Sequence, residues 1–316
     1  MPPIDCVYIA ASAHDARYTR ICVASIRFFY PHIPIQILPG GRLPVDLVRE
    51  LRQYWDVGLA ELAEEGDYGW GFVKLETLFG PPGQRFLVLD SDTVITGPVL
   101  DLWSDSCSSF LVDDEQQPED RARGIYYDWE KLRGFDPSAQ PPRFLFNTGQ
   151  WFGTAGILSR ADFAPWILWT MPRTTTPPNT FMNGDQGLLN YIFNQKVILQ
   201  SLQVERRQIM RWPAHSTEGL DADTVTKGAG VPCIVHWAGL KKARQRDMLA
   251  ADLLRFFEGV YYGRLPAGSL RRLFAVCEHA ISHAVSEARV YGKLAIQKYG
   301  GALAKLPHDR ALTGTK

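Results

Sequence analysis

Two aspartates one residue apart, Asp90 and Asp92, follow directly on four consecutive apolar residues, Phe86, Leu87, Val88 and Leu89. An apolar run that short, entered from Gly80, Pro81, Pro82 and Gly83, predicts a strand covered on both faces. The carboxyl end of such a strand is where open α/β sheets bind ligands. Two carboxylates there repel each other unless a cation lies between them, and Mg²⁺ and Mn²⁺ both prefer carboxylate oxygens. The competing reading is a plain Asp-Ser-Asp turn. Further along, the apolar run Val231–Trp237 ends in His236, followed by Gly239 and Lys242. Glycine lets a backbone approach a ligand closely, and lysine is a point charge suited to phosphate. Asp185, within Asn183-Gly-Asp-Gln-Gly187, opens a helix over Leu188–Phe193, where the helix dipole favours a carboxylate; capping alone would also explain it. Lys74 falls on a short helix inside Tyr68–Phe79, ahead of the Phe86 strand, and a solvated helix face is its alternative.

The elements that must position these groups alternate. Cys6–Ala11 reads as a strand, Ala16–Tyr30 as a helix by its apolar spacing at Ile21, Ala24, Ile26 and Phe28, Ile35–Leu38 as a strand, and Leu43–Leu62 as a helix. Alternation of this kind predicts a parallel sheet, with the loop Ser12–Tyr18 facing the ligand crevice. That loop carries no GxGxxG, so a dinucleotide fingerprint is absent. Tyr18 is either a base-stacking group or a core aromatic. Ser106–Asp114 predicts another strand with acids at its end. Glu115–Pro142 is polar, holds Tyr126, Tyr127 and Trp129, and reads as a lid or binding loop. Phe144–Leu158 resumes apolar alternation, with Asn147 and Gly149 at a bend, and Ser159–Asp162 caps a helix predicted over Phe163–Met171.

At 316 residues the chain can hold one large domain or two small ones. Lys plus Arg and Asp plus Glu both number 34, so no whole-molecule field points to nucleic acid. Residues 241–316 nevertheless carry fourteen Lys or Arg against six Asp or Glu. Five cysteines without a CxxC pair support neither a zinc knuckle nor a disulfide framework, which leads to the expectation of a reducing compartment. Met1–Ala13 does not read as a signal peptide, and no run approaches the ~18 apolar residues of a membrane span. A cytoplasmic location is expected. Leu270, Leu273, Phe274, Cys277, Ile281, Ala284, Val285, Ala288, Tyr291 and Ala295 recur with helical period, while Arg271, Arg272, Arg289, Lys293 and Lys298 lie mostly off that stripe. Such a helix either packs on the catalytic domain or lies on an anionic membrane surface.

Taken together, these motifs resemble glycosyltransferase family 8, the retaining enzymes typified by glycogenin and the bacterial lipopolysaccharide galactosyltransferases. Four elements match in order over residues 4 to about 242: DSDT at Asp90–Thr93 followed by GPVLDLW, FNTG at Phe146–Gly149, GDQGLLN at Gly184–Asn190, and HWAGLKK at His236–Lys242. The resemblance departs at the first loop, SAHDARY, and after Lys242, where Ala243-Arg244 replaces the usual proline-tryptophan. It implies a GT-A fold, Rossmann-like, with a mixed central sheet over residues 1–242 and a basic helical region over 243–316. It also implies a metal-dependent transferase moving a hexose from a nucleotide-diphosphate sugar, a UDP-sugar by resemblance, to a saccharide, lipid-linked or protein acceptor. Asp90, Asp92 and His236 would hold the metal, and their mixed oxygen and nitrogen set suits Mn²⁺ better than Mg²⁺. Ala10, Ser12, Tyr18, Lys74, Ser91, Gly239 and Lys242 would meet the nucleotide and its diphosphate. Asn147, Gly149 and Asp113 would hold sugar hydroxyls, and Asp185 or Gln186 would support the reacting carbon as nucleophile or polar stabiliser. Two rivals stand beside this. LDSDTVI also fits a haloacid-dehalogenase-like phosphatase with Asp90 as nucleophile and Asp92 as acid/base, and a non-catalytic sugar-nucleotide binder would keep the same residues.

Overall fold

The computed structural model describes residues 4–64, 66–69, 71–213, 219–240, 248–278 and 280–281. The chain forms two compact units, Met1–Pro266 and Ala267–Lys316. In the first unit β1 (Cys6–Ala11), α1 (Ala16–Phe29), β2 (Ile35–Pro39), α2 (Val45–Trp55) and β3 (Val57–Leu59) come in order. A 3₁₀ helix over Phe72–Phe79 then leads to β4 (Arg85–Asp90) and β5 (Thr93–Ile95). Next come β6 (Phe110–Asp113), α3 (Glu119–Ile125), α4 (Trp129–Leu132), β7 (Gln150–Thr154), α5 (Arg160–Phe163), β8 (Ile167–Leu168) and β9 (Thr174–Thr175). The unit closes with α6 (Asp185–Ile198), β10 (Val204–Arg207), β11 (Met210–Arg211), α7 (Ala222–Thr226), β12 (Ile234–His236) and α8 (Ala251–Gly263).

The main sheet has seven strands in the order β10-β6-β7-β4-β1-β2-β3. It is parallel except at β7, which runs antiparallel to both of its neighbours. A second sheet, β11-β12-β5, pairs β12 antiparallel with β5. The strand predicted around Phe86 is β4, and Phe86, Leu87, Val88 and Leu89 are all fully buried, as a strand covered on both faces requires. Phe86 and Val88 share one face with Phe110, Val112 and Trp151 of the neighbouring strands, and that face packs on Leu188, Leu189, Ile192 and Phe193 of α6. Burying each such side chain stabilises the fold by roughly 1.5–3 kcal/mol, so the helix that opens at Asp185 is held to the sheet by its own apolar residues.

Several predicted elements end elsewhere. The helix expected over Leu43–Leu62 stops at Trp55, because Asp56 turns left-handed at φ 51° and Val57–Leu59 joins the sheet beside β2. The helix expected over Phe163–Met171 is one turn long. Its Ser159/Asp162 capping box is present, but Ile167–Leu168 pairs with Thr174–Thr175 instead of continuing the helix. The polar stretch Glu115–Pro142 holds two short helices, and its Tyr126, Tyr127 and Trp129 are buried in the core. In the second unit the described residues of 268–281 are helical, with Leu270, Leu273, Phe274 and Ile281 exposed. Ala284, Val285, Ala288, Tyr291, Ala295, Arg289, Lys293 and Lys298 lie outside the described residues. Among the described residues no helix is long and apolar enough to cross a membrane.

Candidate functional site

Three pairings bring the chemistry to one place. β1 lies between β4 and β2, so strand order reverses there, and Ala10 sits opposite Asp90 at the carboxyl edge. This is the switch point at which open α/β sheets bind ligands. The Ser91 amide donates to Ala10 carbonyl oxygen at 3.1 Å. Because β7 runs against β4, its beginning rather than its end reaches this edge, and the Asp90 amide donates to Gly149 carbonyl oxygen at 2.7 Å. Pairing of β12 with β5 sets His236 opposite Thr93, and the Trp237 amide donates to Asp92 carbonyl oxygen at 3.0 Å. Residues distant in sequence thus converge by backbone ladders alone.

Asp90, Asp92 and His236 each offer one ligand atom, all within 4.8 Å of one another. His236 Nε2 lies 3.3 Å from Asp92 Oδ1 and 3.9 Å from Asp90 Oδ2. The imidazole is 2% exposed, and neither of its nitrogens makes a hydrogen bond among the described residues. A buried polar ring left unpaired beside two carboxylates calls for a ligand, and an N,O,O set fits a divalent cation. Gly149 makes the ring's position available: a Cβ there would collide with His236 Cε1.

Lys74 does not lie on a solvated face. It is 3% exposed, and its Nζ reaches Asp185 Oδ2 at 2.8 Å, Asp90 Oδ1 at 3.1 Å and Thr148 carbonyl oxygen at 2.9 Å. Burial alone would push its pKa down, but Asp185 and Asp90 outweigh burial and hold the ammonium protonated. Burial pushes the Asp185 carboxyl up, against the pull of Lys74. Gly71, at φ 73°, is packed so closely that a Cβ would overlap Asp185 Oδ1. Across the site, α6 is sewn to the extended segment 143–146 by two asparagines. Asn190 Oδ1 accepts from the Phe146 amide and its Nδ2 donates to the Phe146 carbonyl, while Asn194 does the same for Phe144, with distances of 2.9–3.4 Å. These contacts fix Asn147 relative to Asp185.

A cavity of about 510 Å³ opens here, lined by Lys74, Asp90, Asn147, Asp185, Gln186, His236 and Gly239 among the residues singled out from the sequence. Asn147 Oδ1 accepts from the Gly149 amide at 2.8 Å, and Gln186 Nε2 donates to the Ile125 carbonyl at 3.3 Å. Asp92, Ser91 and Gly149 stand just behind this lining, by the contacts already given. Others are not brought in. Tyr18 is 5% exposed and its hydroxyl donates to Met248 Sδ. Ser12 donates to Asp15 Oδ2 at 2.7 Å. Asp113 Oδ1 accepts from the amides of Ile209 and Met210 at 2.8 and 2.9 Å, and burial pushes its carboxyl up to about 6. Lys242 lies outside the described residues. Glu115, Gln117, Arg121 and Tyr126 come from the stretch expected to form a lid or binding loop and line the cavity, though none was singled out as a site residue; Trp212, also in the wall, lies outside every stretch so read. Glu115, which accepts a short hydrogen bond from the Tyr126 hydroxyl, is two residues past Asp113 and takes the position facing the cavity. Acids at the end of β6 were the available signal; Trp212 had none.

No family model matches the chain, and no curated protein matches it. Solved structures do. The apo form of the bifunctional glycosyltransferase WbbM superposes with a TM-score of 0.52 at 13% identity, over 82% of this chain and 49% of that one. The glycosyltransferase GlyE of Streptococcus pneumoniae, also apo, superposes at 0.51 and 14% identity, over 87% of this chain and 63% of that one. The galactosyltransferase LgtC, solved with donor and acceptor sugar analogues, superposes at 0.48 and 15% identity over 82% of this chain and 100% of that one. The chain therefore spans about half the length of WbbM and under two thirds of GlyE. The first two likenesses establish the fold: a mixed α/β architecture of the GT-A kind.

Proposed function

We propose that this chain is a retaining hexosyltransferase. It moves a sugar from a nucleotide-diphosphate donor, of the UDP-sugar class, to a saccharide, lipid-linked or protein acceptor. The observation that carries the reading is the convergence of Asp90, Asp92 and His236 at the switch point of a glycosyltransferase fold, with Lys74 linking Asp90 to Asp185 across the cavity. Asp90, Asp92 and His236 hold a divalent cation, Mn²⁺ by its donor set, which when bound offsets the negative charge of the departing diphosphate. Transfer breaks the bond between the anomeric carbon and the diphosphate oxygen, with the electron pair leaving on oxygen, and forms a bond from that carbon to the acceptor hydroxyl oxygen, whose proton passes to the departing diphosphate. Gly239 and Lys242 receive the diphosphate, Ser91 and the Ala10 edge the nucleoside, and Asn147 with Gly149 the sugar. Asp185, clamped by Lys74 and backed by Gly71, supports the electron-poor carbon as nucleophile or polar stabiliser, and its ion pair with Lys74 favours the stabiliser. Gln186 extends this wall. The exposed apolar residues of the basic C-terminal unit lie on an anionic membrane surface, in keeping with a cytoplasmic enzyme that meets a lipid-linked acceptor.

The phosphatase alternative is not favoured, since the fold neighbours are glycosyltransferases and three strands of the sheet precede β4. The test is metal dependence. Chelation abolishes transfer, Mn²⁺ restores it, and Asp92→Asn lowers turnover by about 100-fold or more while circular dichroism shows the fold intact. Full activity in excess EDTA overturns the reading, and tight donor binding without transfer moves it to a non-catalytic binder.

A further inference from the structure

We propose that Trp212 is a positioning residue that holds the His236 imidazole in its metal-ligating orientation. The inference rests on the metal-site reading above and adds to it a residue that no motif contains. A ligating histidine ordinarily donates its second ring N–H to a carboxylate or carbonyl, which fixes the ring's orientation and tautomer. His236 lacks that anchor, because neither ring nitrogen has a hydrogen-bond partner among the described residues. Nε2 is the nitrogen that faces the acids, at 3.3 Å from Asp92 and 3.9 Å from Asp90. Nδ1 is therefore the nitrogen that should be anchored, and among the described residues it is shape, not a hydrogen bond, that meets it.

Two groups supply that shape. One is the Gly149 backbone, where a Cβ would come within 2.8 Å of Nδ1. The other is the Trp212 indole, whose ring lies nearly parallel to the imidazole, 12° between planes and 5.7 Å between centroids. That geometry is an offset stack, the favoured face-on arrangement of aromatic pairs. The backbone explains the register. β11 runs parallel to β12 with Arg211 opposite Val235, so Trp212, the residue just past the end of β11, comes beside His236. Rotation of the imidazole about its Cβ–Cγ bond would swing its edge into the indole face. Trp212 also lines the cavity, so it shields part of the imidazole from the water that competes for it.

The test is Mn²⁺ affinity of the full chain, read as free Mn²⁺ by electron paramagnetic resonance, with the metal alone as probe. His236→Ala weakens binding, Trp212→Ala weakens it by about tenfold, and Trp212→Phe, which keeps a stacking ring and serves as the folding control, retains most of the affinity. In the His236→Ala background, Trp212→Ala adds no further loss, because the ring it would hold is gone. Wild-type affinity in both Trp212 variants, alongside a fall in His236→Ala, overturns this inference and leaves the metal site standing. An equal loss from Trp212→Ala with or without His236 also overturns it, since Trp212 would then act on the fold at large. A wild-type chain that binds no Mn²⁺, or one indifferent to both His236→Ala and Asp92→Asn, overturns the metal site and this inference together.

Discussion

At the scale of single residues, the charged groups of this site are defined by what surrounds them. Lys74 illustrates the point. From sequence it is one lysine on a short helix, with solvated surface as its ordinary fate, yet it is buried between Asp90 and Asp185. Its position depends on a helix, a strand end and a distant loop meeting, which no local pattern encodes. Asp90, Asp92 and His236 were legible because each ends an apolar run, and a polar residue at the end of a buried strand has few bland explanations. Asp113 has the same local signature and a different surrounding. Its carboxylate caps two backbone amides and is pushed up to about 6. An acid whose folded pKa exceeds its unfolded value of about 3.8 contributes stability that is fully present below about pH 4 and lost as pH rises through 6. The shift corresponds to roughly 3 kcal/mol lost by neutral pH. Asn keeps the accepting oxygen and cannot ionise. Asp113→Asn is therefore expected to be at least as stable as wild type at pH 7 and to flatten the decline between pH 4 and 6 in urea titrations. Asp113→Ala, which strands two amides, is expected to lose about 2 kcal/mol or more. A wild-type decline persisting in Asp113→Asn would contradict this account.

Elements matter here through their ends. β4, β7 and β12 each contribute a terminus to the cavity, and the antiparallel course of β7 brings Asn147 and Gly149 to the edge where the parallel strands finish. Strand existence was readable from apolar runs, but the direction of β7 was not, since pairing direction is settled by the loops and by α6. Where α2 ends was hidden for a related reason: apolar residues continue to Leu62, and only sheet pairing of Val57–Leu59 shows that they serve a strand. The asparagines of α6 are another long-range device. Spaced four residues apart, Asn190 and Asn194 present amides on one helical face to a backbone segment that pairs with no strand among the described residues. Asn190→Ala leaves the Phe146 amide and carbonyl unpaired in the core. Equilibrium unfolding is expected to show a loss of about 2 kcal/mol or more. Turnover of the folded fraction should also fall, because Asn147 loses its fixed distance from Asp185. Unchanged stability would mean that the segment is held by its apolar contacts alone.

For the whole molecule, charge and chain organisation set expectations that the cavity does not. The balanced total conceals a basic C-terminal stretch, and the second unit shows apolar side chains in the open. If that unit serves membrane attachment, a chain ending at Gly268 stays folded and active on a soluble acceptor but no longer sediments with anionic vesicles. If it completes the core, the same truncation lowers the melting temperature or leaves the protein insoluble. Full-length protein that ignores anionic vesicles at low salt would end the membrane reading. The first unit carries the central claim, that Asp90, Asp92 and His236 together with Lys74 and Asp185 make a site for cleaving a nucleotide-diphosphate sugar. The most direct measurement is mass-spectrometric detection of nucleoside diphosphate released from a panel of nucleotide sugars, with Mn²⁺ and with excess chelator. The account predicts release from at least one donor with Mn²⁺, none with chelator, and a loss of about 100-fold or more in Asp92→Asn. Folded, Mn²⁺-loaded protein that releases nucleoside diphosphate from no donor, or that releases it equally well in chelator, would contradict the account.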